Sequence, residues 1–391
     1  MNKVKYFALV ALMLGSATTF AGKDSSFHIQ NAVRVGYDDN IYQSREGNQQ
    51  ESAFITDIIN ISGKMAFSSR SELTYFWQPE FRYRFDADPE FISFQDLYAR
   101  LSHAVSQRTF LEVSDRFRYQ EKDGQSDARA EENQNYFEND LMGALSFTLN
   151  ALSQIRVGGG YEFRKWDDES YGAGFRNNDY DQYKADGSYI REIRPNTTHL
   201  MAGVNYVDHE YNGDRGGYDS TSLFGGVDHN FNPNMLGTAR LGYSLSNVDG
   251  ATGSQDADAP YLQAGLEYNP TDRTSVNGSL GYSLYLSENT IYNAQDRFNV
   301  GIGVKHDLTG KISISAALSY IFSAYDGAYA QAGAPGDAEE DFISLSLRGS
   351  YQINRNNFLD LGYEFTQRAT DSVFLQEYNR NRFDFGWRLR L

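Results

Sequence analysis

The chain has 391 residues, with 52 acidic against 35 basic side chains, a net charge of −17 and no cysteine. An acidic surplus of this size excludes nucleic acid as a partner, and an exported chain without cysteine has no disulfide framework. The 28 Tyr, 26 Phe and 35 Gly against only 7 Pro, at a mean hydropathy of −0.58, suit strands in which apolar and polar residues alternate, because averaging then hides the apolar half.

Residues Met1 to Ala21 read as a secretory signal peptide. Lys3 and Lys5 give the positive start, Tyr6 to Leu14 the apolar stretch, and Thr19-Phe20-Ala21 before Gly22 the small residues of a cleavage site. That stretch is too short for a spanning helix of about 20 residues. Nothing later approaches that length, so any membrane insertion is as a β-barrel. The mature chain would run from 22 to 391 as one barrel domain, with no plug-sized domain before it.

From Phe27 onward Ile29, Val33, Val35 and Tyr37 alternate with His28, Gln30, Arg34 and Asp38. A second strand spans Ala53 to Phe67. A third carries Leu73, Tyr75, Trp77, Phe81, Tyr83 and Phe85 on one face, and Glu72, Thr74, Gln78, Glu80, Arg82 and Arg84 on the other. Pro79 predicts a bulge or a break within it. The same grammar continues to the end. Short turns fall at Ser68–Ser71, Ser106–Arg108, Asn150–Ser153, Arg194–Asn196, Asn232–Asn234, Pro270–Asp272, Leu308–Lys311 and Asn354–Asn357.

Between them lie longer polar connections: Asp38 to Ser52, Asp86 to Ile92, Gln120 to Asn135, Trp166 to Asp179, Glu210 to Gly217, Val248 to Asp258, Ser287 to Ala294, Tyr325 to Glu340 and Ala369 to Glu377. Regular alternation of short and long connections predicts an all-β transmembrane antiparallel barrel of about 18 strands, with short periplasmic turns and long extracellular loops. An even count lets the first strand pair with the last and leaves no open edge. Tyr161, Phe163, Tyr206, Tyr243, Tyr268, Tyr282, Tyr320, Phe322 and Tyr363 read as aromatic girdles. In the last segment Phe383, Phe385, Trp387, Leu389 and Leu391 form an apolar insertion face opposite Arg382, Asp384, Gly386, Arg388 and Arg390.

The opening segment Val33-Arg34-Val35-Gly36-Tyr37-Asp38-Asp39-Asn40-Ile41-Tyr42, together with the C-terminal strand, resembles the "putative β-barrel porin 2" family of Gram-negative outer-membrane proteins. The resemblance covers the mature chain in pattern. It implies a plain barrel with no catalytic motif, in a family often associated with exopolysaccharide or capsule export. One departure is the final residue, Leu391, where outer-membrane barrels usually end in Phe.

A barrel of this size is wide enough for an aqueous channel, and parity assigns its inner face. Basic candidates are Arg34, Arg82, Arg84, Arg116, Arg118, Arg156, Arg164, Arg240, Arg348, Arg368, Arg382, Arg388 and Arg390. Acidic candidates are Glu72, Glu80, Asp96, Glu112, Glu138, Asp140, Glu162, Asp228, Glu267, Asp360, Glu364 and Asp384. Either the charges order a solute or they pair and fill the wall, for instance Glu112 with Arg82 or Arg84. Arg82 and Arg84 with Arg116 and Arg118 form the expected anion-leaning patch. Phe76, Phe94, Tyr98, Phe110, Phe224 and Tyr285 also point inward by parity, and such rings can stack on sugars.

The acidic runs Asp167-Asp168-Glu169, Glu131-Glu132, and Asp337 with Glu339-Glu340-Asp341 lack a complete cation-loop signature and read as solvated loops. His28, His103, His199, His209, His229 and His306 are scattered, and no G-x-S-x-G occurs, so catalysis is not expected. No cofactor or metal is implied. The expected function is a passive water-filled pore for hydrophilic solutes. An export component for exopolysaccharide or capsule is the alternative, and a plugged structural or adhesive barrel a third. Expected partners are outer-membrane lipid and lipopolysaccharide, the barrel-assembly machinery and, for the export role, polysaccharide-export proteins.

Overall fold

The computed structural model describes residues 25–121, 135–166, 179–212, 216–250, 253–286, 292, 294–326, 336–371 and 377–391. The signal segment, the acidic runs at 131–132 and 167–169, and most of the 325–340 connection lie outside the described residues.

Among the described residues the chain forms nineteen strands: β1 (Ser26–Asp38), β2 (Ser52–Ser68), β3 (Ser71–Arg84), β4 (Phe91–Ala104), β5 (Thr109–Gln120), β6 (Tyr136–Asn150), β7 (Ser153–Trp166), β8 (Tyr180–Arg194), β9 (Thr198–Tyr211), β10 (Gly217–Asn232), β11 (Met235–Gly250), β12 (Gly253–Asp256), β13 (Ala259–Thr271), β14 (Thr274–Leu286), β15 (Ala294–Asp307), β16 (Ile312–Tyr325), β17 (Ala338–Gln352), β18 (Asn357–Thr370) and β19 (Tyr378–Arg390). Eighteen of them pair antiparallel with their neighbours around a ring, which β1 and β19 close with Val33 opposite Trp387 and Asp38 opposite Arg382. Closure leaves no open strand edge, the condition for spanning a bilayer without helices. Among the described residues no helix is long and apolar enough to cross a membrane.

The exception is β12, four residues that fold back on the end of β11. The stretch read from sequence as one loop, Val248 to Asp258, is therefore partly a hairpin extending β11 beyond the ring. Pro79 brings no bulge. β3 runs unbroken, pairing Pro79 with Gln95 on β4, and its register with β2 is the same on both sides of the proline. The missing N–H costs ladder pairing beside Ile59 and Asn60 without shifting the register. A side chain bridges the gap, as Asn60 Nδ2 donates to Gln78 Oε1 at 3.2 Å, while on the other edge of β3 Trp77 Nε1 donates to Gln95 Oε1 of β4 at 3.0 Å.

The two faces differ as the alternation requires. Val33, Val35, Leu241, Leu361, Phe383, Phe385 and Trp387 stand exposed on the outer face. In water so much bare apolar surface marks a docking or membrane-facing wall. The inner face carries the polar positions.

The seam between first and last strands is clasped by side chains. Asp38 is buried and accepts from Arg380 Nε at 2.9 Å, from Arg380 Nη2 and from Arg382 Nε at 3.1 Å. Asp39 takes the backbone N–H of Asn381 at 2.7 Å and its Nδ2 at 2.8 Å. Asn40 donates to the carbonyls of Ser44 and Asn379 at 2.8 and 2.9 Å, and Tyr42 O–H donates to the Asp88 carbonyl at 2.9 Å. Gly36 belongs to the same device. A Cβ there would meet the Phe54 ring, with Cε2 at 2.8 Å, and the Phe383 carbonyl. That ring lies under the guanidinium groups of Arg82 and Arg382, at 5.3 and 5.8 Å. The segment that carries the sequence resemblance is thus the barrel's closing clasp.

Candidate functional site

Strand register puts the thirteen arginines and twelve acids selected by parity on one face, the inner one. Register carries this face from strand to strand: Glu80 stands opposite Phe94, Arg118 opposite Glu138, Ser146 opposite Arg156, and Asp360 opposite Gly386. Phe76, Phe94, Tyr98, Phe110, Phe224 and Tyr285 share it.

The environment changes along the barrel axis. Toward the short turns several inner charges are solvated, Asp360 beside the β17–β18 turn being a buried exception. The side chains of Lys64 and Glu72, 2.6 Å apart, are 49% and 39% exposed, and those of Arg100 and Glu112, 3.9 Å apart, are 44% and 49% exposed. Toward the long loops they are packed. Glu138, 2% exposed, accepts from Arg164 Nε at 3.0 Å, from Arg164 Nη2 at 2.5 Å and from Arg118. The Arg164 guanidinium lies 4.7 Å from the Tyr136 ring, 5.4 Å from Tyr180 and 5.7 Å from Trp166. Further round, the buried pair Arg368–Glu340 is 3.3 Å apart, beside Tyr325. Tyr292, in the connection after β14, stacks on Tyr325 at 4.9 Å and donates its O–H to the Gly336 carbonyl at 2.9 Å. Burial, with Asp371 and Asp337 nearby, pushes its phenol pKa up, so it stays a donor.

The wall also differs around its circumference. β18, β19, β1 and β3 to β8 carry most of the charge, largely in pairs. Asp360 takes Arg388 Nε at 2.7 Å. Asp384 lies 3.3 Å from Arg348 and 3.6 Å from Arg34. Glu162 holds Lys184 and accepts from Tyr180 O–H at 2.6 Å. Arg156 reaches Asp186 at 2.8 Å, and Arg240 reaches Asp228 at 3.1 Å. From β10 to β16 the inner positions are largely small and uncharged, with Ser222, Ser244, Gly265, Ser279, Gly301 and Ser319 among them, and the charges there are sparse, including Asp228, Arg240, Glu267, Arg297 and Lys305.

The expected basic patch is not a patch. Arg116 makes a two-point contact with Asp96 at 2.9 and 2.7 Å, Arg118 meets Glu138, Arg82 meets Glu80 at 2.7 Å, and Arg84 donates to the Pro89 carbonyl at 2.8 Å. Three of the four charges meet a carboxylate close by. Glu112 pairs with Arg100 and not with Arg82 or Arg84. Its partner on β4 is Ser102, ten residues along that strand from Ile92, which faces Arg82. At about 3.3 Å per residue that separates them by roughly 33 Å.

The inward aromatics are not one track. Phe94 lies under the Arg82 guanidinium at 5.4 Å, Phe76 and Tyr98 stack on each other at 5.6 Å, and Phe110 lies far below, opposite Ala104. Residues missed from sequence include Arg380, Lys184 and Arg297. Arg380 had a visible signal, the basic Arg380-Asn381-Arg382 facing the acidic Asp38-Asp39 once the strands close. Among the described residues no three His, Cys, Asp or Glu side chains gather with metal-ligand spacing.

The family model described as "Putative beta-barrel porin 2" matches residues 26–391. The chain belongs to this family. It is an outer-membrane β-barrel porin, a channel by family and fold. Solved structures agree on the fold at low identity. A BenF-like porin from Pseudomonas fluorescens Pf-5 is 13% identical with a TM-score of 0.52, covering 95% of this chain and 100% of that one. OccK2 (OpdF) of Pseudomonas aeruginosa, solved with glucuronate, is 12% identical with a TM-score of 0.51, at 95% and 99% coverage. Pseudomonas aeruginosa OpdQ is 12% identical with a TM-score of 0.51, at 96% and 100% coverage. No curated protein matches the sequence.

Proposed function

We propose that this porin is a passive path for hydrophilic solutes, wide and hydrated toward the periplasm and narrow toward the cell exterior. The observation that carries this reading is the gradient of exposure along one face: half-exposed Lys64 and Glu72 at one end, buried Glu138, Arg164, Glu340 and Arg368 at the other. Hydrated side chains need a water-filled lumen, and paired charges among aromatic rings exclude solutes larger than the gap they leave. Arg116, Arg118, Arg156, Arg164, Arg348, Glu72, Glu112 and Glu162 line this path, and Phe383, Phe385, Trp387, Leu389 and Leu391 form the strand face that enters lipid. The role needs no catalytic group. Lipopolysaccharide and phospholipid surround the barrel, the assembly machinery inserts it, and the segment Met1 to Ala21 directs export.

The export alternative loses support from the aromatic positions. A sugar track needs free ring faces, whereas Phe76 and Tyr98 cover each other and Arg82 covers Phe94. The test is single-channel conductance of the refolded barrel in a planar bilayer. Steady ohmic steps that persist with neutral oligosaccharide present support a general porin. Blockade by oligosaccharide would favour export, and no current from a folded barrel would sink the channel reading.

A further inference from the structure

On this sparsely charged arc, where Arg240 pairs with Asp228, one buried basic side chain stands apart. Arg297 on β15 is 6% exposed and points inward, between Ser283 on β14 and Ser323 on β16. The other well-buried inner arginines are all answered: Arg82, Arg164, Arg368 and Arg380 each have a carboxylate within 4 Å, and Arg84 donates to the Pro89 carbonyl at 2.8 Å. Arg297 has neither a carboxylate within that distance nor a hydrogen bond among the described residues. Its one specific neighbour is the Tyr285 ring, 5.4 Å from the guanidinium. That ring is 39% exposed, so solvent reaches the place where the two meet. The flanking hydroxyls of Ser283 and Ser323 have no hydrogen-bond partner among the described residues either.

An arginine this buried and unpaired is costly, because it has lost most of its water without gaining an anion. Guanidinium presents a planar fork of donors matched to carboxylate and phosphate oxygens. Two serine hydroxyls beside it add neutral donors of the kind that complete an oxyanion's shell. On the charged arc such a group would find an internal acid; on this arc register supplies only serine on either side. We propose that Arg297, with Ser283 and Ser323, is a binding subsite for the oxyanion of a passing solute, a carboxylate or a phosphate. The inference rests on the water-filled channel reading.

The test is blockade of single-channel current by gluconate, by inorganic phosphate and by sorbitol, which matches gluconate in carbon number but lacks the charge. In the wild-type channel, gluconate or phosphate interrupts the current and sorbitol does not; which anion does so at lower concentration identifies the source. Arg297→Gln raises the blocking concentration at least about tenfold, and Arg297→Lys by less, since an ammonium keeps the charge but loses the fork. Ser323→Asp, which gives Arg297 an internal anion at the facing position, abolishes blockade in a barrel that still conducts. An unchanged blocking concentration in Arg297→Gln, or equal blockade by sorbitol, overturns the subsite while leaving the channel intact. Absence of any current in the folded wild-type barrel overturns the channel reading and the subsite with it.

Discussion

Replacing Asp38 by Asn removes the charge on which the barrel's seam converges. The carboxylate is 2% exposed and receives three contacts from Arg380 and one from Arg382, bridging residues 342 positions apart in sequence. An amide keeps the shape but offers one acceptor oxygen and no charge, leaving two guanidinium groups facing each other at the seam. Breaking a buried pair by removing one partner costs about 3–5 kcal/mol. With a urea slope near 3 kcal/mol per M, the upper end for small proteins, the unfolding midpoint falls by roughly 1 M or more. The control is Glu72→Gln. Its partner Lys64 is as close, at 2.6 Å, but both side chains are well solvated. A solvated pair contributes less than about 1 kcal/mol, so its midpoint shifts by no more than roughly 0.3 M. Tryptophan fluorescence of the barrel in detergent micelles during urea titration reads both. Equal shifts in the two variants would refute the claim that the seam clasp is a buried, closing interaction.

Other substitutions probe the remaining links. Gly36→Ala forces the new methyl against the Phe54 ring and the Phe383 carbonyl, and lowers stability by about 1–3 kcal/mol in the same titration. Leu361→Arg places a charge on the outer face, where a midplane position costs about 2–4 kcal/mol, and the refolding yield into vesicles drops accordingly. Ser346→Arg, on the inner face and directly opposite Glu364 on β18, refolds at the wild-type yield; equal losses in these two variants would refute the face assignment. The mass of protein purified from outer membranes begins at Gly22; a mass that includes Met1 to Ala21 would remove the export signal from the account.

Much of this was legible in the sequence. Turn chemistry at Pro195, Pro233 and Asn354 located strand ends, and period-two alternation assigned the faces, because each depends only on local sequence. Register does not. Parity alone allows Glu112 to pair with Arg82 or Arg84, because all three face inward, yet strand stagger places them at opposite depths. The same gap turned four arginines into a supposed basic patch, when Asp96, Glu80 and Glu138 stand at the right heights to answer three of them. Pro79 is legible only in part for a different reason: a side-chain bond from Asn60 to Gln78 holds β2 and β3 in step where backbone pairing lapses, and β3 stays paired with β4 throughout. Arg297 was overlooked because an arginine is notable only once its neighbours are known to lack acids.

The central claim is a water-filled lumen that narrows toward the loops. Its most direct test is exclusion of neutral polymers of graded size, added to one side of a bilayer holding oriented single channels. Larger polymers entering from the periplasmic side than from the loop side, with conductance falling accordingly, is the result this account predicts. Equal size limits from both sides, or a narrower limit on the periplasmic side, would contradict it.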